Sequence, residues 1–391
     1  MRVLLVSPLD PEVPGNLKFL MGGENTYTRN LMSFPPRGVR YLHYEEALKL
    51  GKIEYLPINK VLGILVKFRI LPLSPGSKCF KLKERFDLVH CHIYSLKLAG
   101  AAPPVILSDS SSNYLFLKYY IHWQEWRIKI GYFFKKRLFD WLGVIDADTN
   151  LVNAKKLIVF SEFAKRIHLR LGAPKRKIEV IPAGLPSLSR HPGRGEVAEV
   201  NILFVGIWFE RKGGPLVVQA FGTLAQKYRN IKLTIVGPIP KNIKYQKSNI
   251  KNYEYVPRER LMREFFPRAD IFVIVPPKVE GFGFAVLEAM SFGIPVIVSR
   301  VCALPELVED SKSGFIVEPG SVGDLSEKLE VLISNSSIRH KMGQAARARF
   351  EEKFSVEMAN KKLLEVYRSA VWPKALSEVV LRFHSVRPPR V

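Results

Sequence analysis

"ADIFVIVPPKVEGFGFAVLEAMSFGIPVIVS", residues 269 to 299, reads in order as a strand, a loop, a glycine turn, a helix and a second strand. "DIFVIVP" is a continuous apolar, β-branched run closed by proline, the pattern of a strand buried on both faces. "FAVLEAMSFG" is a helix-forming run ended by Gly293, and "IPVIVS" is apolar and β-branched again. Two fully apolar strands joined by a helix belong to a parallel sheet covered on both sides.

Outward from this unit the pattern repeats. Strands are expected at 200–206, 231–237, 270–276, 294–299 and 314–319, and an earlier series at 2–7, 86–92, 104–109, 156–161 and 177–183. Two series imply two doubly wound α/β domains. "PSLSRHPGRGEVAEV", 186–200, is the one stretch dense in Pro, Gly, Ser and charge, and it reads as the linker. The chain therefore divides into 1–188 and 189–370, with a segment 371–391 expected to pack back on the first domain. Open α/β sheets bind ligands outside the carboxyl ends of their strands, so the two sheets are expected to face a shared central cleft.

The 391 residues suffice for two cores, and 47% hydrophobic with 25% charged residues is ordinary globular composition. No apolar run is long enough to span a bilayer and the N-terminus does not resemble a leader, so the sequence reads as cytoplasmic. Cys79, Cys91 and Cys302 have no paired spacing and read as small buried hydrophobes. The net charge of +24 is uneven, with 30 basic and 15 acidic residues in 1–190. Such a surface suits anionic partners: nucleic acid, anionic lipid or a phosphorylated small molecule.

One stretch carries much of that charge. "KYYIHWQEWRIKIGYFFKKRLFDW", 118–141, interleaves nine aromatics with six Lys or Arg. Trp123, Trp126, Ile130, Phe133, Phe134, Leu138 and Trp141 fall near helical spacing, which predicts a core-packing helix with a solvated basic face. The alternative is an interfacial surface on anionic membrane, peripheral at its inner face, with "KVLGILVKFRIL" (60–71) assisting.

The chemistry concentrates in the opening stretch. Gly281 and Gly283 leave the backbone bare where the helix begins, and a helix N-terminus suits a phosphate. Glu280 precedes the helix and Glu288 lies about one turn inside it, so two acceptors flank a phosphate-sized site. That arrangement fits a nucleotide-sugar. In "LFVGIWFERKG" (203–213), Gly206 ends a strand and Arg211 and Lys212 sit on the following loop, where cations can neutralise a departing diphosphate. Gly22 and Gly23 open a helix in "MGGENTYTRNLM" (21–32). "VIDAD" (144–148) imitates a metal-binding Asp pair but falls where a helix should end, and His90 and His92 in "HCH" have no third ligand cluster. No metal is expected.

Together these motifs resemble the GT-B glycosyltransferases, in particular the large retaining family 4, glycosyl transferases group 1. "RKG", "ADIFV", "EGFGFAVLEAM", "FGIPVIVS", "LPELVED" and "KSGFIVEPG" carry the resemblance over 202–319; "VFSEFAKR", "KIEVIPAGL" and "DLVHCH" extend it more loosely to the first half. The resemblance implies a hexosyltransferase that uses a nucleoside-diphosphate sugar and no cofactor, with a glycan or lipid-linked acceptor held by the first domain. It assigns Glu280 to the donor sugar and Glu288 to the ribose. The amides of Phe282, Gly283 and Phe284 and the side chain of Lys212 would hold the diphosphate, with Gly22 and Gly23 approaching it from the other side; Val256 would enclose the base.

Three positions depart from the family. Ile207 replaces the Arg that commonly follows the strand glycine, leaving Arg211 to substitute. Ala183 stands where Asn is common. "SDSSSN" (108–113) lacks the usual active-site histidine, with Ser110 as the expected occupant, so that Ser110, Asp109 or a histidine elsewhere must take its place. These departures leave open a non-catalytic nucleotide-sugar binder as an alternative. The charge raises a nucleic-acid-binding protein as a third reading, but no nucleic-acid module is present and no such partner is expected.

Overall fold

The computed structural model of the chain describes residues 1–9, 22–67, 77–119, 122–188, 199–240 and 249–372. Most of the expected linker, the loop before Gly22, the end of "KVLGILVKFRIL" and residues 373–391 of the expected C-terminal segment lie outside the described residues.

The chain forms two compact units. One takes the described residues up to Pro182, except the first residues of the helix Gly22–Ser33, together with those from Ala359 onward. The other takes Ala183–Met358 and that helix start as far as Thr26.

The second unit is built on a six-stranded sheet, all parallel, in the order Ile250–Tyr253, Ile231–Val236, Val200–Val205, Ile271–Ile274, Val296–Ser299, Gly314–Val317. The chain begins in the middle, winds to one edge, then returns and winds to the other. The direction reverses between Val200–Val205 and Ile271–Ile274, and a crevice opens outside the carboxyl ends of strands at such a point. Ile271–Ile274 and Val296–Ser299 are buried throughout, as their unbroken apolar runs require. Helices Gly214–Lys227 and Val322–Ser334 pack their apolar stripes on this sheet through Val217, Phe221, Leu325 and Leu329.

The first unit has a parallel sheet in the order Arg40–His43, Arg2–Val6, Leu88–His92, Val105–Asp109, Ala154–Val159, Ile178–Val180. A three-stranded sheet, Ile53–Tyr55, Ser77–Leu82 and Ser95–Ala99, packs beside it through Phe80 and Leu96. Every expected strand forms. Arg40–His43, Ile250–Tyr253 and the three-stranded sheet were not expected, because their short segments alternate with Lys, Arg and Asn and carry no apolar run. Of the cysteines, Cys79 and Cys91 are buried, whereas Cys302 is only partly so.

"HCH" lies on the fully buried strand Leu88–His92. His90 Nε2 and His92 Nδ1 both lie 2.8 Å from the Ser108 hydroxyl, and His90 Nδ1 lies 2.5 Å from the Tyr367 hydroxyl. Burial, reinforced by His92, pushes His90 down to about 3. Burial likewise lowers His43 despite the Ser7 carbonyl at its ring. Both groups are neutral in the folded protein and bind a proton more readily when unfolded, with an unfolded value of about 6.5. Their contribution to stability is therefore complete above that value and is lost as pH falls below it, for His90 toward 3. Urea unfolding at pH 7, 5 and 4 should show this decline, and His90→Gln should flatten it while lowering stability at pH 7. An unchanged slope in the variant would exclude His90 as its source.

Candidate active site

The reversal point of the second sheet gathers the motifs. Gly206 follows the strand Val200–Val205, and a Cβ there would lie 3.0 Å from Lys212 Cβ and Cγ, so the bare backbone lets the lysine stem cross the strand end. The loop that follows ends at Gly213, which caps the helix Gly214–Lys227 at φ +85°. A Cβ on Gly213 would stand 2.1 Å from the Val275 carbonyl oxygen, and the Val275 amide donates to the Lys212 carbonyl at 3.1 Å. The "RKG" loop is thus stitched to the end of the next strand, and this brings Lys212 to Glu280. Gly213→Ala combines a positive φ with a backbone collision and should cost at least ~2 kcal/mol. Denaturant titration measures it, and a loss within ~0.5 kcal/mol of zero would contradict this role.

Glu280 is the focus of the site. It is 5% exposed. Its Oε2 accepts from Lys212 Nζ at 2.5 Å and from Arg211 Nη1 at 3.2 Å. Burial alone would raise the Glu280 carboxyl, but Lys212 and Arg211 outweigh it and the net shift is downward. Burial pulls Lys212 down, and the Glu280 carboxylate only partly restores it. The three residues form one cluster in which two cations share a single carboxylate oxygen, leaving net positive charge.

Next to Glu280 the chain turns through Gly281 and the buried Phe282 to Gly283, at φ +92°, which opens the helix Phe284–Ser291. A Cβ on Gly283 would meet Leu304 Cδ2 at 2.7 Å. The first amides of a helix have no carbonyl within the helix to bond, and they add partial positive charge near Lys212 and Arg211. Gly23, one residue into the helix Gly22–Ser33, closes on the same turn: a Cβ there would lie 2.7 Å from Phe284 Cδ2.

Glu288 is buried on the inner side of the helix Phe284–Ser291 and accepts from Arg258 Nη1. Arg258 lies two residues after the buried Val256. The sequence reading did not single out Arg258, since "PRERL" gives no sign of which Arg turns inward.

Ser110 is buried at the end of the strand Val105–Asp109 in the first unit. Beside it, His168, fully buried on the helix Glu162–Arg170, lies between two carboxylates. Its Nε2 is 3.6 Å from Asp109 Oδ2 and its Nδ1 is 3.6 Å from Asp148 Oδ1. Burial would lower this imidazole, but Asp109 and Asp148 prevail and raise it. Because the two ring nitrogens face different carboxylates, the arrangement suits an imidazolium better than three ligands converging on one cation, although among the described residues these three could supply a metal's donors. Asp148 also accepts from the Ser112 and Tyr132 hydroxyls, and Asp146 is tied to Lys135 and Thr149. An imidazole thus stands against Asp109, the residue before Ser110, supplied by "FAKRIHLR" and not by the segment in which a histidine was sought.

Comparison with known proteins places the second unit. Residues 195–349 match the family model described as Glycosyl transferases group 1. The chain is 30% identical over 172 residues to a capsular polysaccharide biosynthesis glycosyltransferase of Staphylococcus aureus, a match spanning 42% of this chain and 45% of that protein. It is 28% identical over 295 residues to an uncharacterized glycosyltransferase of Methanocaldococcus jannaschii, covering 73% of this chain and 76% of that one. Among solved structures, Anabaena HepE in complex with UDP and glucose superposes with a TM-score of 0.63 at 14% identity, covering 94% of this chain and 100% of that one. Sucrose-phosphate synthase from Thermosynechococcus elongatus gives 0.65 at 17%, covering 94% and 98%. Two parallel-sheet Rossmann-like units are the fold shared with these neighbours, and it is the GT-B fold expected from the sequence.

Proposed function

From a glycosyl transferases group 1 domain at residues 195–349, we propose that this protein transfers a hexosyl unit from a nucleoside-diphosphate sugar to an acceptor hydroxyl. The observation that carries the proposal is the meeting of Lys212 and Arg211 on Glu280 beside the helix start at Phe284. In such a reaction the bond from the sugar's anomeric carbon to the diphosphate oxygen breaks and negative charge grows on that oxygen. Preorganised cations and helix amides stabilise that charge with little reorganisation. In the proposed mechanism Glu280 holds Lys212 and Arg211 in position and accepts from the donor's sugar hydroxyls. Glu288, freed from Arg258, takes the ribose hydroxyls, and Val256 packs on the base. The acceptor is assigned to the first unit, where Ser110 follows Asp109, the partner of His168. Retention of configuration follows the family that the sequence resembles.

UDP and glucose in the Anabaena HepE complex support a nucleotide-sugar as the donor class. The relative named for capsular polysaccharide biosynthesis supports a glycan acceptor. Since the cations supply the charge that a metal would otherwise provide, no metal or cofactor is assigned, and chelation with EDTA should leave the rate unchanged.

Thermal unfolding in the presence of a panel of nucleoside diphosphates and their sugars tests the reading. One base should raise the midpoint by several degrees at saturation, since a ligand at ~100 times its Kd adds ~2.7 kcal/mol. Slow release of nucleoside diphosphate from the matching sugar should accompany it. Binding without transfer or hydrolysis would instead establish the non-catalytic binder, and no response from any nucleotide would exclude both.

A further inference from the structure

The helix Glu125–Leu142 has two apolar sides, and only one of them is used. Ile128, Lys135 and Phe139 face inward. Lys135, 1% exposed at its side chain, donates to Asp146 at 3.0 Å, and this buried pair sets the rotation of the helix. The opposite side carries Trp126, Ile130, Phe133, Phe134 and Trp141, exposed by 65%, 50%, 54%, 61% and 81%. Their spacing keeps them on one stripe along the whole helix. The residues expected to pack in the core therefore point to solvent, apart from Trp123 and the partly buried Leu138.

Large exposed apolar stripes mark contact surfaces. Here the stripe is edged by exposed Arg127, Lys129 and Lys136, and Arg137 lies within it with its guanidinium 4.8 Å from the Phe133 ring centre. Exposed acidic residues on the helix are Glu125 and Asp140, and Glu125 already faces Lys118 and Lys129 at 3.7 Å. A neighbouring helix, Ile58–Lys67, joins the same apolar cluster through Leu62 and Phe139 and exposes Lys60, Val61 and Ile64. Among the described residues no helix is long and apolar enough to cross a membrane.

We infer that the outer face of Glu125–Leu142, widened by Ile58–Lys67, docks this protein on an anionic lipid bilayer. Tryptophan and phenylalanine enter the boundary between headgroups and acyl chains, while the flanking cations stay at headgroup level against negative lipid. Charge decides against a second copy as the occupant, because a symmetric contact would set the same cations against one another. The inference does not depend on the donor site and is read without any nucleotide.

Sedimentation of the full chain with vesicles tests it. Vesicles of equal phosphatidylcholine and phosphatidylglycerol should retain the protein at least ~10-fold better than phosphatidylcholine alone, with the difference collapsing in high salt. The combined variant Trp126→Ala, Phe133→Ala, Phe134→Ala, Trp141→Ala should lose this binding. Lys129→Glu, Lys136→Glu, Arg137→Glu should weaken it ~100-fold, at about fivefold or more per cation. All these positions are exposed, so both variants should keep the wild-type unfolding midpoint. Equal retention by the two vesicle types, or wild-type retention by either variant, overturns the inference. So does a wild-type dimer that the aromatic variant dissolves without vesicle binding, or binding of single-stranded RNA in place of vesicles.

Discussion

Lys212→Ala should lower the turnover of sugar transfer, or of donor hydrolysis, by ~10²–10³-fold, the usual effect of removing one preorganised group that stabilises developing negative charge. Lys212 is the shorter of the two contacts to Glu280, 2.5 Å against 3.2 Å for Arg211. Its stem crosses the strand end over Gly206, which fixes the approach of its ammonium to Glu280. Removing it leaves Glu280 with Arg211 alone, which weakens the fold somewhat, and the unfolding midpoint must therefore be measured beside the rate. Arg211→Ala provides the comparison. Because Arg211 makes the longer contact, its loss should cost less than that of Lys212. A Lys212→Ala enzyme that keeps half the wild-type rate would remove Lys212 from the mechanism; a rate that falls only because the protein unfolds would show in the midpoint.

The second large effect concerns binding. Glu288→Ala should weaken the nucleoside diphosphate by ~10–100-fold, the worth of one or two hydrogen bonds to a buried carboxylate. Glu288 is paired with Arg258, whose side chain is 32% exposed. Truncation releases that arginine to water, so the unliganded midpoint should move little. The nucleotide-induced shift should nearly vanish at concentrations that saturate the wild type. Arg258→Ala separates the roles: if Arg258 only stores Glu288 in place, its loss should leave nucleotide affinity within a few-fold of wild type. Retention of the full shift by Glu288→Ala would refute the ribose assignment.

The acid side of the first unit offers an independent reading of its histidines. His90 and His43 lose stability as pH falls below about 6.5, since both are neutral when folded. His168 behaves in the opposite sense. Its raised value means that its contribution is complete below the unfolded value and is lost as pH rises through the folded one. A His168→Gln variant should therefore lose more stability at pH 6 than at pH 8, whereas His90→Gln should lose more at pH 8 than at pH 4.

Much of this protein was legible in its residues. The apolar strands of both sheets, the glycine turn at 281–283 and the "RKG" loop are local patterns, and each segment does in the fold what its own periodicity dictates. The reversal of strand order that brings the two loops together follows from the parallel topology those patterns imply. Three things needed tertiary structure. The pairing of Glu288 with Arg258 joins the helix Phe284–Ser291 to a residue 30 positions earlier in the chain. The imidazole beside Asp109 comes from the helix Glu162–Arg170, which follows the neighbouring strand Ala154–Val159, not from the strand end. In the helix Glu125–Leu142 the periodicity defines two apolar stripes, and no sequence rule says which of them faces inward. The choice is made by one buried ion pair, Lys135 with Asp146, and by the fit of Phe139 against Leu62. A charged group can be buried only where its partner awaits it, and that position is set by chain brought in from elsewhere in the fold.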